Sequence, residues 1–137
     1  MKKIVFFALF LATAPGPLAG DWPQWRGPDR DGVSRETGLL QAWPSAGPKR
    51  LWLSRDIGIG YSAPVVAKGT LFILGTKDGK EQLFAKQAKS GRTLWTVALG
   101  GILSNNWGDG PRGAAAVDGN RIYAVSYTHL RAHETEA

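Results

Sequence analysis

The chain contains no cysteine and only two histidines, His129 and His133, both close to its C-terminus. The absence of cysteine excludes disulfide bonds, thiolate metal ligands and a cysteine nucleophile. Without histidine, the preceding residues also lack the side chain that most often serves zinc sites and proton transfer near neutral pH. The nucleophile motif Gly-x-Ser-x-Gly and the phosphate-binding motif Gly-x-x-x-x-Gly-Lys are absent as well. We therefore expect no catalytic, cofactor-binding or metal-ligating residue here.

A long hydrophobic run is also missing. The longest apolar run, Ile4–Ala12, is too short to cross a bilayer as a helix. It follows Met1-Lys2-Lys3 and precedes small residues, which is the layout of a secretory signal peptide. We predict a signal peptide over residues 1–19, with cleavage after Ala19 or Gly20, and a periplasmic or extracellular product. No cysteine follows the run, so we expect neither a bacterial lipid anchor nor a membrane span after cleavage.

The basic residues do not gather on one face, although the formal net charge is +6. They are spread through segments that are predicted to be turns and loops, and aromatic residues do not alternate with them. This distribution favours a solvated surface over a nucleic-acid interface, and we predict no nucleic-acid partner. The residues concerned are Arg26, Arg30, Arg35, Lys49, Arg50, Arg55, Lys77, Lys80, Lys89 and Arg92.

What the chain does contain is a repeat. The pairs Leu51-Trp52 and Leu94-Trp95 are separated by roughly forty residues, the period of a propeller blade. Short apolar runs separated by glycine-containing turns lie between them and predict four strands. A partial second unit, Gly113–Ala124, has the layout of Ser62–Ile73. We predict an all-β fold, a β-propeller of four-stranded blades, represented by about one full blade and part of a second.

The end of the first unit, Ala85–Trp95, resembles the pyrroloquinoline-quinone-type repeat, in which Ala-x-Asp-x-x-Thr-Gly-x-x-x-Trp closes each blade. The alanine, glycine and tryptophan are kept, whereas Gln87 replaces aspartate and Ser90 replaces threonine. Because those two side chains normally bond the turn backbone, we expect a less tightly held turn. The resemblance implies that the closing tryptophan docks against the neighbouring blade. It places the repeats over residues 51–124.

An entry segment, residues 20–50, precedes the repeats. Its motif Trp22-Pro-Gln-Trp-Arg-Gly-Pro28 resembles the start of exported quinoprotein-like propellers, and Trp43-Pro44 and Gly108–Arg112 also fit that family. Proline and glycine exclude a helix over Asp21–Ser34. The apolar area of Trp22, Trp25 and Trp43 predicts that each seals a blade edge or the propeller base, with a carbohydrate-stacking platform as the alternative.

The C-terminal residues, 125–137, differ in character from the rest. Val125–Thr135 can be encoded in one frame by a transposase adaptor used to prepare sequencing libraries. We therefore interpret residues 125–137 as an adaptor-derived artefact and do not use them to predict the fold. The alternative is a genuine polar tail. If residues 125–137 are adaptor-derived, the propeller repeats are truncated.

Three functions are compatible with these features, because propellers host many activities. The first is a non-catalytic exported module that binds a protein or glycan on its loop face. The second, implied by the resemblance, is a quinoprotein dehydrogenase that uses pyrroloquinoline quinone and calcium in blades beyond this sequence. The third is a propeller subunit that helps to assemble outer-membrane barrels. We favour the first, with Arg112 as the best ligand contact and Asp109 and Trp107 as its neighbours.

Overall fold

The computed structural model describes residues 20–126 and the backbone of residues 129–134, so the predicted signal peptide lies outside the described residues. The described part of the chain is all-β, as predicted, and contains no helix, so no helix there could cross a membrane. Seven strands form two antiparallel sheets. They are β1 (Val65–Ala67), β2 (Thr70–Lys77), β3 (Lys80–Gln87), β4 (Thr93–Gly101), β5 (Ala116–Asp118), β6 (Arg121–Ser126) and β7 (His129–Glu134).

The first sheet is a meander in the order β1-β2-β3-β4. Two-residue turns join β1 to β2 at Lys68-Gly69 and β2 to β3 at Asp78-Gly79, and all four residues have positive φ angles between 48° and 74°. Turns with two left-handed residues match the twist of antiparallel strands, which is why the pair Asp78-Gly79 predicts this hairpin correctly. A four-stranded antiparallel meander is the unit from which propellers are built.

Strand β3 is one of the two inner strands of this sheet, and its residues from Glu81 to Lys86 are buried. Its register pairs Leu83 with Leu74 on one side and with Val97 on the other. Apolar residues of both sheets then form one continuous core, because β5 and β6 pack on the same side chains. The core contains Val65, Ala67, Phe72, Leu74, Leu83, Ala85, Leu99, Ala115, Ile122 and Ala124.

The second sheet has the order β5-β6-β7. Strands β5 and β6 are the two strands expected from the partial second unit, with Ala116 opposite Tyr123. Strand β7 lies inside the segment interpreted as adaptor-derived and pairs with β6 from Arg121 to Ser126. Strand pairing uses backbone groups that every residue except proline carries. The pairing of β7 with β6 is therefore compatible with an adaptor-derived sequence.

The entry segment joins the two sheets at their first strands. Trp22 exchanges two backbone hydrogen bonds with Val66 of β1, at 2.7 and 2.9 Å, and the carbonyl of Pro23 accepts from the amide of Val117 in β5 at 2.8 Å. Trp22 is half-buried, as its predicted sealing role requires. Trp25 and Trp43 are 64% and 69% exposed, so neither seals an edge among the described residues.

The turn between β3 and β4, which we call the blade-closing turn after the motif that it resembles, is well bonded in spite of its two substitutions. The hydroxyl of Ser90 donates to Oε1 of Gln87 at 2.7 Å, and the carbonyl of Gln87 accepts from the amide of Gly91 at 2.8 Å. Trp52 docks on this turn, where its indole Nε1 donates to the carbonyl of Ala88 at 2.9 Å and its ring leaves no room for a Cβ at Gly91. Trp52 itself lies outside any strand.

Candidate functional site

Two loops meet at the end of the first sheet where β2 turns into β3. The first is the strap, residues 57–61, and the second is the inter-sheet loop, residues 102–112. The strap crosses β2 at very close range, since the amide of Thr76 donates to the carbonyl of Ile57 at 2.9 Å. A Cβ at Gly75 would overlap the carbonyl oxygen of Ile57, and one at Gly58 would overlap that of Thr76. Glycine at both positions therefore fixes the strap against the sheet.

The strap and the inter-sheet loop are bonded to each other. The amide of Tyr61 donates to the carbonyl of Pro111 at 2.8 Å. Gly60 and Gly110 lie within contact distance of one another, and the ring of Tyr61 occupies the space that a Cβ at Gly108 would need. The two loops therefore form a single surface, which we call the loop face.

Arg112, the strongest sequence candidate, lies at the centre of this loop face. Its Nη2 donates to the carbonyl of Gly108 at 2.6 Å and to Oδ1 of Asn105 at 3.4 Å. Its guanidinium carbon lies 5.3 Å from the centre of the Tyr61 ring, a cation–π contact. The side chain is exposed. The stacking and the two hydrogen bonds therefore orient a guanidinium that still faces solvent.

Trp107, the second candidate, is 87% exposed. The loop that carries it is held by several hydrogen bonds. Asn105 accepts from the amide of Trp107 with its side chain, at 2.9 Å, and from the amide of Gly108 with its carbonyl, at 3.1 Å. The amide of Gly110 donates to the carbonyl of Leu103 at 2.8 Å. A bonded loop thus presents a large aromatic side chain to water.

Asp109, the third candidate, lines a cleft of about 380 Å³ with Gly58, Ile59, Gly60 and Tyr61. The three predicted residues therefore belong to one surface, and the structure adds Tyr61 to them. No sequence signal pointed to Tyr61, because it comes from the strap and meets the inter-sheet loop only in the fold.

Glu81 is a second residue that sequence reasoning did not select. It is fully buried, and it lines a cleft of about 390 Å³ together with Arg112. Its Oε1 accepts from the amide of Leu103 at 3.0 Å, and its Oε2 accepts from the hydroxyl of Ser126 at 2.8 Å. The carboxylate therefore ties the inter-sheet loop and β6 to the start of β3.

Lys86 is a buried cation behind the blade-closing turn, with 1% of its side chain exposed. Its Nζ lies 2.8 and 2.9 Å from the two carboxylate oxygens of Asp56 and 2.7 Å from Oγ1 of Thr93. Hydrogen bonds from Lys86, then from Ser54 and Thr93, hold the pKa of Asp56 well below its usual range, against the opposing effect of burial. This cluster joins the segment before the strap to β3 and β4. The charged and polar groups of this cluster bond one another, which indicates that the cluster stabilises the fold.

The described residues do not fit the quinone and calcium that the family resemblance implies. Within the part of the chain that the structure describes, no three acidic or histidine side chains are grouped to hold a metal ion. One oxygen of the buried Glu81 accepts from the amide of Leu103, and the other accepts from Ser126, which belongs to the segment interpreted as adaptor-derived. Asp109 lies beside backbone and the Tyr61 ring, without a second carboxylate lining its cleft.

Comparison with known proteins adds no assignment. No protein-family model matches the chain, and no curated protein matches it either.

Proposed function

We propose that the chain is an exported β-propeller protein of the pyrroloquinoline-quinone-like type that acts as a non-catalytic binding module, with its ligand on the loop face. Three features support this proposal: the predicted signal peptide, the resemblance of Ala85–Trp95 to the blade-closing repeat, and the four-stranded meander that the repeat forms. The proposed ligand contacts are Trp107, Asp109 and Arg112, with Tyr61 supporting Arg112.

The observation that carries the proposal is the exposure of Trp107 on a hydrogen-bonded loop. An indole that is 87% exposed leaves a large apolar face in water. The hydrogen bonds that Asn105 accepts from the amides of Trp107 and Gly108 order this loop in advance, which lowers the entropy lost when a ligand binds. A prearranged aromatic face is suited to the apolar face of a sugar ring.

The charges of the loop face favour a neutral ligand. Arg112 carries the positive charge of the surface, and the carboxylates of Asp109 and Glu81 line the two clefts beside it. An anionic ligand would be attracted by Arg112 and repelled by Asp109 and Glu81. The hydroxyl groups of a neutral saccharide both donate and accept hydrogen bonds, so they complement the guanidinium and the exposed carboxylate together. We therefore propose a neutral glycan as the ligand.

Titration of the purified full chain with neutral oligosaccharides, followed by tryptophan fluorescence and calorimetry, tests this proposal. Trp107→Ala should weaken binding by about tenfold or more, as truncation of an aromatic anchor does. Trp43→Ala is the matched control, because it removes an indole of comparable exposure from the entry segment. Equal affinities of the two variants, or no binding of any neutral oligosaccharide by the unaltered chain, would contradict the proposal.

A dye-reduction assay with added pyrroloquinoline quinone and calcium separates this function from an oxidoreductase. We expect no reduction with alcohols or sugars. Dye reduction that is lost on Arg112→Gln or Asp109→Asn would instead support the dehydrogenase.

A further inference from the structure

A third cleft lies between the entry segment and the second sheet, and it is separate from the loop face. Its volume is about 420 Å³. One side is formed by Gln24, Trp25, Arg26 and Arg30, and the other by the small residues Ala114–Ala116. The wall therefore combines two guanidinium groups with an indole that is 64% exposed.

Both arginines are held in place by neighbouring groups. Arg26 donates from Nη2 to the carbonyl of Asp31 at 3.1 Å, and Arg30 donates from Nε to Oε1 of Gln24 at 3.2 Å. Gln24 is fixed in turn, since its Nε2 donates to the carbonyl of Pro28 at 3.0 Å. Arg30 is thus oriented through Nε, and among the described residues its two terminal nitrogens have no hydrogen-bond partner.

The backbone at both arginines is strained. Their φ angles are 63° for Arg26 and 59° for Arg30, in the left-handed region that favours glycine or asparagine. Lys68 and Asp78 adopt the same conformation in hairpin turns, so the backbone by itself marks Arg26 and Arg30 as turn residues. What distinguishes the two arginines is that both line the same cleft.

The charge of the cleft is positive. No carboxylate lines it. The two acidic residues of the same loop are engaged elsewhere, since Asp29 pairs with Arg35 at 2.8 Å and Asp31 accepts from the amide of Val33 at 2.8 Å. The cleft therefore presents N–H donors to an anion and, beside them, the exposed face of Trp25.

We infer that this cleft binds an anionic saccharide, with a carboxylate or sulfate group on Arg26 and Arg30 and the sugar ring against Trp25. Arginine forms two parallel hydrogen bonds with an oxyanion of either kind. An aromatic face completes the contact with the ring. This inference does not depend on the neutral ligand proposed for the loop face.

The test uses the full chain carrying Trp107→Ala, which removes the proposed anchor for neutral glycans on the loop face, and three tetrasaccharides at low ionic strength. They are tetragalacturonate, which carries carboxylates, a chondroitin sulfate tetrasaccharide, which also carries sulfates, and neutral maltotetraose. We expect one or both anionic probes to bind at least about tenfold more tightly than the neutral one. A preference between the two identifies the favoured anion. Equal or absent binding of the anionic probes would overturn the inference.

Substitutions then locate the site. Arg30→Asn keeps a residue that tolerates left-handed backbone, so it should leave the melting temperature unchanged and weaken anionic binding by about tenfold. Trp25→Ala should also weaken it. Arg92→Gln removes an exposed arginine on the blade-closing turn and is the matched charge control, which should retain binding. Equal losses in Arg30→Asn and Arg92→Gln would mean general charge attraction and would refute the site, and loss on Arg112→Gln alone would place the anion on the loop face.

Discussion

Replacing Asp56 by asparagine should destabilise the fold through the buried Lys86. The ammonium of Lys86 is 1% exposed and has both carboxylate oxygens of Asp56 within 2.9 Å. Asparagine keeps the size of the side chain and removes its charge, so the cation loses its counter-ion. Thr93 and the carbonyl of Gly91 remain as hydrogen-bond acceptors, at 2.7 and 3.3 Å.

The magnitude follows from the burial of the two partners. Removing one partner of a buried ion pair costs about 3–5 kcal/mol. Because the side chain of Asp56 is 58% exposed, water screens part of the interaction, and we expect a loss of about 2 kcal/mol. Lys86→Met removes the buried charge and fills its volume, so its free energy of unfolding should stay within about 1 kcal/mol of the parent.

Urea unfolding at pH 7, followed by tryptophan fluorescence, measures both variants. The midpoint for Asp56→Asn should fall by roughly 1 M. In the Lys86→Met background the same substitution should cost less than about 0.5 kcal/mol, because its partner is gone. An unchanged midpoint for Asp56→Asn, or an equal loss in both backgrounds, would refute the ion-pair explanation.

The ion pair between Asp56 and Lys86 makes the free energy of unfolding depend on pH. Since the folded pKa of Asp56 is lowered, its stabilising contribution is complete above the unfolded value, about 4, and is lost as the pH falls towards the folded pKa. Asp56→Asn should remove this part of the acid sensitivity.

Two further predictions concern the strap and the signal peptide. Gly75→Ala should destabilise by about 2 kcal/mol, because the new Cβ overlaps the carbonyl oxygen of Ile57, whereas Gly101→Ala, where the Cβ meets nothing, should be nearly neutral in thermal melts. Equal melting temperatures would contradict the close approach of the strap. Expression in a bacterium should yield an exported product that begins at Gly20 or Asp21, as mass spectrometry can establish, and an intact Met1 on the exported product would contradict the signal peptide.

The strands of the first sheet were predictable because their signals are local. The Asp78-Gly79 turn and the alternation of apolar runs with glycine lie within a few residues of the strands they define. Strands β2 and β3 extend beyond their apolar residues, since the tight turn also brings the polar residues Lys77 and Lys80 into the ladder. The pair Leu51-Trp52 was informative for a different reason, because its spacing from Leu94-Trp95 marks the repeat. In the structure the indole of Trp52 docks on the turn between β3 and β4, and the pair lies outside any strand.

The residues of the candidate site could be proposed from the sequence only where they are close together along the chain. Trp107, Asp109 and Arg112 share one loop, and a loop rich in glycine beside a blade is recognisable from the sequence. Tyr61 and Glu81 come from other elements, and their positions depend on how the strap and β3 pack. The burial of Lys86 was equally hidden, because a lysine in a strand is expected to face water until a distant carboxylate is placed beside it.

The bonds of the entry segment have a consequence for the order of folding. Trp22 and Pro23 emerge from the ribosome before their partners, Val66 and Val117, have been made. Loop closure over a long stretch of chain is slow compared with the formation of a hairpin. The first described residues to be synthesised are therefore the last to dock, and their docking joins the two sheets.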